Sequence, residues 1–192
     1  GTLTYIILEQ QVSIAAAKAM HAKLQALIGA EPEPRAFLAL DDGALRSCGF
    51  SRQKAAYARG LAGAIADGSL DLGALAVMDD DSAIARLVQL KGIGPWSAEC
   101  YLLWCHGRRD ILPAGDLALQ LGWQLLTGAE TRPTAADLRE AAEPWRPRRT
   151  AASLLIWYHY LAQPARQRKP AVPARPAPTA TAPPLAKHRG RG

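Results

Sequence analysis

The amino-acid sequence predicts an all-α protein. Apolar residues recur at helical spacing from residue 3 to residue 162, with little of the strict alternation that marks a half-buried strand. Start signals stand ahead of several of these runs, and glycines punctuate the connections between them. The predicted helices are Leu3 to Ile28, Pro34 to Leu40, Asp42 to Ser47, Arg52 to Ala66, Leu72 to Val77, Ser82 to Gln89, Pro95 to Cys105, Asp116 to Leu126, Ala135 to Ala142 and Arg148 to Ala162. Ser51 precedes the helix of Lys54, Tyr57 and Leu61, and Asp79, Asp80 and Asp81 precede the helix of Ile84, Leu87 and Val88. Thr134 stands three residues ahead of Asp137, in capping-box register. Gly29, Gly43, Gly49, Gly107 and Gly128 fall in the breaks, and no period of about 20–50 residues marks a repeat architecture.

A chain of 192 residues with 49% hydrophobic and 21% charged content can bury a single core, and it is neither a collagenous nor a disulfide-built chain. Cys48, Cys100 and Cys105 lack CxxC spacing, and with four histidines they write no zinc or iron–sulfur ligand pattern. A reduced, intracellular setting is expected. The net charge of +6 is carried by the end of the chain: Pro164 to Gly192 holds seven basic residues, no acid and seven of the fourteen prolines. The first 163 residues carry sixteen basic and seventeen acidic side chains, a net of −1. The expected organisation is therefore one folded domain over residues 1–163 and a disordered Pro/Ala/Arg-rich basic tail over 164–192. Any binding of nucleic acid by the domain must come from local geometry. No apolar run approaches the roughly 20 residues of a membrane helix, so no membrane contact is expected. The chain opens on Gly1 with its apolar pattern already running, which reads as a truncated N-terminus without a signal peptide.

The most informative stretch runs from Leu87 to Glu99: a helix, a Gly92-Ile93-Gly94 turn and a second helix. Gly92 and Gly94 permit positive φ and bring bare backbone to the surface, while Ile93 points inward to lock the helices together. Pro95 suits the first turn of the second helix, where its missing N–H costs nothing. Amide N–H groups at a helix N-terminus attract a phosphate oxygen without a basic surface. The same pattern also suits a tight αα-hairpin whose glycines serve packing alone.

The run Leu-x-x-Leu-x-Gly-Ile-Gly-x-x-Ser-Ala resembles the helix–hairpin–helix DNA-binding motif, with Gly92, Gly94, Ser97 and Ala98 at its backbone-binding positions. Twenty-two residues beyond Gly94, a Gly/Pro-rich loop ends in Asp116. Taken alone, Asp116 could be the N-cap of the helix of Leu117, Leu121 and Leu125. With the hairpin, the pattern resembles the HhH-GPD DNA glycosylase superfamily. The fuller match is to its 3-methyladenine DNA glycosylase II branch, through Ile7 to Ser13, Gly92 to Ala98, Asp110 to Leu117, and Trp145-Arg146-Pro147 with Leu155 to Tyr158. The resemblance covers about residues 3 to 162 and implies a two-lobed helical bundle whose cleft receives a flipped base. In that bundle the first helix is expected to return to the lobe built by the last ones.

The resemblance implies a monofunctional N-glycosylase of base-excision repair that releases alkylated purines of the 3-methyladenine and 7-methylguanine type and leaves an abasic site. Bifunctional relatives place a catalytic lysine where this chain has Trp96, and Lys91 lies on the wrong side of the turn to replace it. Asp116 is the expected catalytic carboxylate, facing the oxocarbenium character that develops on the sugar. Trp96 and Trp157 match the family's pocket tryptophans and would receive a cationic base on their π faces. Trp104, Trp123 and Trp145 are expected in the core. Cys100 stands where a relative carries a pocket tyrosine, Arg148 replaces an aromatic residue, and Gln11 falls where the family inserts a side chain into the gap left by the flipped nucleotide. The resemblance further implies a monovalent cation, Na⁺ or K⁺, on the backbone carbonyls of Val88, Leu90 and Ile93, and no cofactor for the chemistry. The expected partner is double-stranded DNA containing alkylated bases, bound by a monomer in the cytoplasm, nucleoid-associated in the bacterial manner or otherwise intracellular. Two other readings stay open: a noncatalytic helix–hairpin–helix DNA-binding module, and a glycosylase of this type for another damaged or mismatched base. The Asp116 loop speaks against the first, the paired tryptophans and missing lysine against the second.

Overall fold

Side-chain caps written into the sequence set where the helices begin. The computed structural model describes residues 2–10, 12–29 and 33–164, so Gln11, Gly1 and the basic tail from residue 165 lie outside the described residues. The helices are α1 (Thr2–Glu9), α2 (Ile14–Ile28), α3 (Pro34–Leu38), α4 (Asp42–Ser47), α5 (Arg52–Ala66), α6 (Leu72–Val77), α7 (Asp80–Val88), α8 (Pro95–His106), α9 (Leu117–Thr127), α10 (Ala135–Ala141) and α11 (Arg149–Ala162), with a 3-10 turn at Glu143–Trp145. There is no strand among the described residues. Ser51 accepts the Lys54 N–H, Asp79 accepts that of Ser82, and Thr134 and Asp137 form the reciprocal capping box that the sequence predicts. None of the described helices is long and apolar enough to cross a membrane.

The first predicted helix is two. Ser13 adopts an extended conformation and its hydroxyl accepts the Ala16 N–H at 3.2 Å, which starts α2 afresh. The apolar periodicity runs through this break because both helices feed one core: Leu8 from α1 packs with Ala17 and Leu24 from α2, together with Phe37, Leu45 and Phe50. A second cluster joins Ile6 and Ile7 to Leu75, Leu87, Ile93 and Leu102. A third, built by Leu112, Leu119, Leu138 and Ile156, forms the core of α9, α10 and α11. Trp157 packs against the second and third clusters and so joins them. Contrary to expectation, α1 packs chiefly on α2, α5 and α8, while α11 pairs with α9. The apolar residues of α1 are divided between the first two clusters, which leaves α9 to cover α11.

Two devices fix α11. Asp110, just after α8, accepts hydrogen bonds from Arg149 N and Nε on Oδ1 and from Arg149 and Arg146 guanidinium nitrogens on Oδ2, at 2.8–3.2 Å. Burial works against ionisation of Asp110, but the Arg149 hydrogen bonds and the two guanidinium charges outweigh it and hold the carboxyl below its ordinary value. Thr150 extends the clasp, donating to the Arg108 carbonyl at 2.6 Å and accepting the Ile111 N–H at 3.0 Å.

Further along, Gly122 of α9 lets the two helices touch. A Cβ there would lie 2.7 Å from Ile156 Cγ2 and 2.8 Å from the Ile156 carbonyl oxygen. Because one of those atoms is backbone, Gly122→Ala must push α11 outward. The expected loss is about 1–3 kcal/mol, as for other overpacked cores, read as a lowered midpoint in thermal or denaturant unfolding.

Candidate active site

The loop before α9 aims one carboxylate. Ile111, Leu112, Pro113 and Ala114 are all buried, and the Asp116 N–H donates to the Pro113 carbonyl at 2.8 Å. Gln120, one turn into α9, donates its side-chain amide to the Ala114 carbonyl at 2.7 Å and so ties the loop to the helix it precedes. Asp116 is the N-cap: Oδ1 accepts the Leu119 N–H at 2.8 Å. The same carboxylate accepts two indole N–H groups, Trp157 Nε1 on Oδ1 and Trp96 Nε1 on Oδ2, each at 2.9 Å. The two readings of Asp116 therefore hold at once, and one carboxylate gathers donors from α8, α9 and α11. Hydrogen bonds to a charged acceptor are about twice as strong as neutral ones.

Above Asp116 opens a cleft of about 520 Å³, lined by Ile6 and Glu9 from α1, Trp96, Cys100 and Trp104 from α8, and Leu154, Trp157, Tyr158 and Leu161 from α11. An indole N–H lies in the plane of its ring, so donation edge-on to Asp116 does not itself occupy a π face of either tryptophan. Trp104 does not belong to the core as expected. It is 59% exposed and stacks on Trp157, with centroids 5.9 Å apart and ring planes 15° from parallel. Trp123 and Trp145 do pack together on the third cluster, edge to face at 5.2 Å. The Cys100 thiol is pushed far up by burial and by the Asp116, Glu99 and Glu9 carboxylates, which makes it a neutral wall and no nucleophile.

Glu9 is a second carboxyl on this cleft. Burial raises its pKa most, and the Asp116 charge adds to that rise, against the Tyr5 hydrogen bond and the Lys18 charge, which lower it. The next residue, Gln10, donates its side-chain amide to the Gly92 carbonyl at 2.8 Å and to Ser97 Oγ at 3.2 Å, so the end of α1 is bolted to the hairpin.

In the hairpin, Ile93 is buried between α7 and α8 as predicted. Gly92 takes φ +94°, but Gly94 takes φ −90° as the extended N-cap of α8, so the left-handed turn needs one glycine and not two. Among the described residues, no acceptor meets the N–H groups of Gly94, Trp96 and Ser97, and no donor meets the carbonyls of Val88 and Ile93; the Leu90 carbonyl accepts the Ile93 N–H at 3.0 Å. Amides at the mouth of α8 fit an anion, and unused carbonyl lone pairs fit a small cation. Ala98 is buried with its N–H on the Gly94 carbonyl and so serves packing at the hairpin, while the buried Ser97 accepts Gln10 on its hydroxyl and keeps its N–H unmet. Lys91 is exposed and does not line the cleft.

Residues 5–147 match the model of the HhH-GPD superfamily of base excision DNA repair proteins. The chain belongs to the HhH-GPD superfamily. Over 126 residues it is 31% identical to the putative DNA-3-methyladenine glycosylase YfjP of Bacillus subtilis, covering 66% of this chain and 44% of that protein. Over 154 residues it is 30% identical to DNA-3-methyladenine glycosylase 1 of Schizosaccharomyces pombe, covering 79% of this chain and 68% of that one. The solved structure of S. pombe 3-methyladenine DNA glycosylase in complex with abasic DNA superposes with a TM-score of 0.76 at 30% identity, over 81% of this chain and 77% of that one. This chain thus spans less than half of the first relative's length and about two thirds of the second's.

The cleft contains residues that no motif marks. Trp96, Cys100 and Trp104 recur every fourth residue, and Leu154, Trp157, Tyr158 and Leu161 follow i, i+3, i+4, i+7 spacing, so each set shares one helix face. That spacing is the signal for Trp104 and Tyr158. For Glu9 the signal is its position one turn after Ile6 on the face that Trp96 and Cys100 complete; Gln10 carries none beyond its polarity.

The hairpin glycines differ in what they tolerate. A Cβ on Gly92 would lie 2.3 Å from the Tyr57 ring in a left-handed conformation, whereas a Cβ on Gly94 meets nothing within 4 Å. Gly92→Ala is expected to lose about 2–4 kcal/mol from strain and overpacking, while Gly94→Ala stays within about 0.5 kcal/mol of the parent. Denaturant unfolding of the two variants checks the contrast.

Proposed function

We propose that this chain is a monofunctional DNA glycosylase that flips an alkylated purine of the 3-methyladenine or 7-methylguanine type out of duplex DNA and hydrolyses its glycosidic bond. The observation that carries this reading is the Asp116 carboxylate held by two indole N–H groups at the base of an aromatic cleft beside the hairpin. Two relatives named as 3-methyladenine DNA glycosylases support it.

The Gly94, Trp96 and Ser97 amides meet a phosphate of the duplex at the N-terminus of α8. The Val88, Leu90 and Ile93 carbonyls would hold Na⁺ or K⁺, which supplies positive charge beside that phosphate. Gln11, which follows the bolted Gln10, would fill the space left by the flipped nucleotide. Flipping costs a few kcal/mol, least for a damaged base. A base alkylated at N3 or N7 carries positive charge, and each indole face it meets contributes about 0.5–2 kcal/mol of cation–π attraction. Such a base leaves readily, and as the C1′–N bond lengthens the sugar gains oxocarbenium character that the fixed Asp116 charge stabilises. Water then adds to C1′ and leaves an abasic site. Among the described residues no lysine lines the cleft, so no Schiff base forms and the strand stays intact. The enzyme works as a monomer inside the cell, where Cys48, Cys100 and Cys105 remain free thiols.

The test is release of free base from methylated duplex DNA. The parent is expected to release methylated purine, and Asp116→Asn to retain DNA binding while losing about 100–1,000-fold in single-turnover rate, the usual effect of removing one preorganised electrostatic group. Covalent trapping by borohydride would overturn the monofunctional assignment. A folded parent that binds DNA and releases nothing would overturn the glycosylase reading and leave a binding module.

A further inference from the structure

The cleft holds two carboxyl groups, and the chemistry proposed for cationic bases uses one. Asp116 accepts three N–H donors across its two oxygens, so the fold uses it as a fixed acceptor. Glu9 lines the same cleft from α1, together with Trp96, Cys100 and Trp157.

We propose that Glu9 is the general acid of this cleft for flipped purines that carry no positive charge. The inference rests on the reading of the cleft as a base pocket. A neutral purine is a poor leaving group, because the electron pair of the breaking bond has no positive ring to receive it. Protonation at a ring nitrogen removes that obstacle. In the step, the C1′–N9 bond breaks with its electron pair going to the base, the Glu9 proton passes to N7 or N3, and water adds its oxygen to C1′. The proton that this water loses returns to Glu9, so the acid is regenerated and the sum is hydrolysis.

The surroundings favour a Glu9 that holds its proton. It is half-buried at the end of α1 among Ile6, Val12 and the indoles, and loss of the proton would set a second negative charge in a cleft that already holds Asp116. From α1, Tyr5 hydrogen-bonds to the ionised form, with His21 of α2 edge-on to the Tyr5 ring at 5.3 Å. From α2, Lys18 also favours the ionised form, while the Lys54 ammonium of α5 is spent on the Leu8 carbonyl at 2.6 Å. From α8 comes the neutral Cys100 thiol, and from α11 the Tyr158 phenol. Burial and Asp116 prevail, and the carboxyl titrates above its ordinary value. Separate roles for two carboxyls in one site follow when their environments differ in this way.

The experiment compares single-turnover release of 7-methylguanine, a cationic base, with that of hypoxanthine, a neutral one, from otherwise identical duplexes across the acidic-to-neutral range. For the parent, hypoxanthine release should rise as pH falls and level off once Glu9 is protonated. Glu9→Gln should remove the levelling and lower the hypoxanthine-to-7-methylguanine rate ratio by about 100-fold, the usual contribution of a positioned acid. Tyr5→Phe removes a hydrogen bond to the ionised form, so it should move the levelling to higher pH and speed hypoxanthine release at neutral pH, a gain that a damaged fold does not give. An unchanged ratio and pH profile in Glu9→Gln overturns the proposal, as does a parent that releases 7-methylguanine and no hypoxanthine; in both cases the glycosylase reading stands. Release of neither base by folded, DNA-binding parent overturns that reading and this inference with it.

Discussion

The carboxylate of Asp116 is where the two lobes agree on a geometry. It takes one hydrogen bond from its own helix and two from indoles that lie 20 and 41 residues away in the chain, and these indoles belong to α8 and α11. A partly buried charge is costly unless its partners are in place, and a network of this kind is worth having only when each member is satisfied. The contacts that place α8 and α11 therefore all bear on this one group. The Asp110 clasp sets the start of α11, the close approach at Gly122 sets its distance from α9, and the buried loop from Ile111 to Ala114 sets the carboxylate itself.

Charge in this protein is used locally. The first 163 residues are close to neutral, so their net charge supplies no attraction for a polyanion. The hairpin offers unsatisfied amides at the N-terminus of α8 instead, and Gln10 holds them in a fixed relation to the cleft by reaching from the end of α1 to Gly92 and Ser97. The hairpin is thereby tied to the end of α1, whose Glu9 lines one cleft with Trp96 and Asp116. The two hairpin glycines divide the work: Gly92 makes the turn against Tyr57, while Gly94 keeps its outer side bare.

Much of this was legible in the chain because it is local. Caps such as Ser51, Asp79 and Thr134 fix helix starts within one turn, and the Gly92-Ile93-Gly94 turn followed by Asp116 carries the resemblance to the family. The errors share one physical origin, which is that apolar periodicity reports a buried face without naming what buries it. It carried one helix through Ser13 because Leu8 and Leu24 enter the same cluster, and it placed Trp104 in the core although that ring walls an open cleft. The indole hydrogen bonds to Asp116 and the approach of Glu9 are long-range facts. They depend on how α1, α8 and α11 cross, and no spacing along the chain encodes that crossing.

The electrostatics of the carboxyls sort structure from function. Asp110 has its pKa held down by arginines, so its ionised form stabilises the fold, and that contribution is lost as pH falls through its lowered value. Glu9 is the reverse. Its folded-state pKa is raised, so the native state holds the proton more tightly than the unfolded chain does, and stability declines as pH rises through the window above the ordinary glutamate value. A glutamine would fill the same space at the end of α1 without that decline. Glu9 stands where its ionised form weakens the fold, on the wall of a cleft whose other carboxylate already accepts three donors, and this suits the proton transfer proposed for it better than packing.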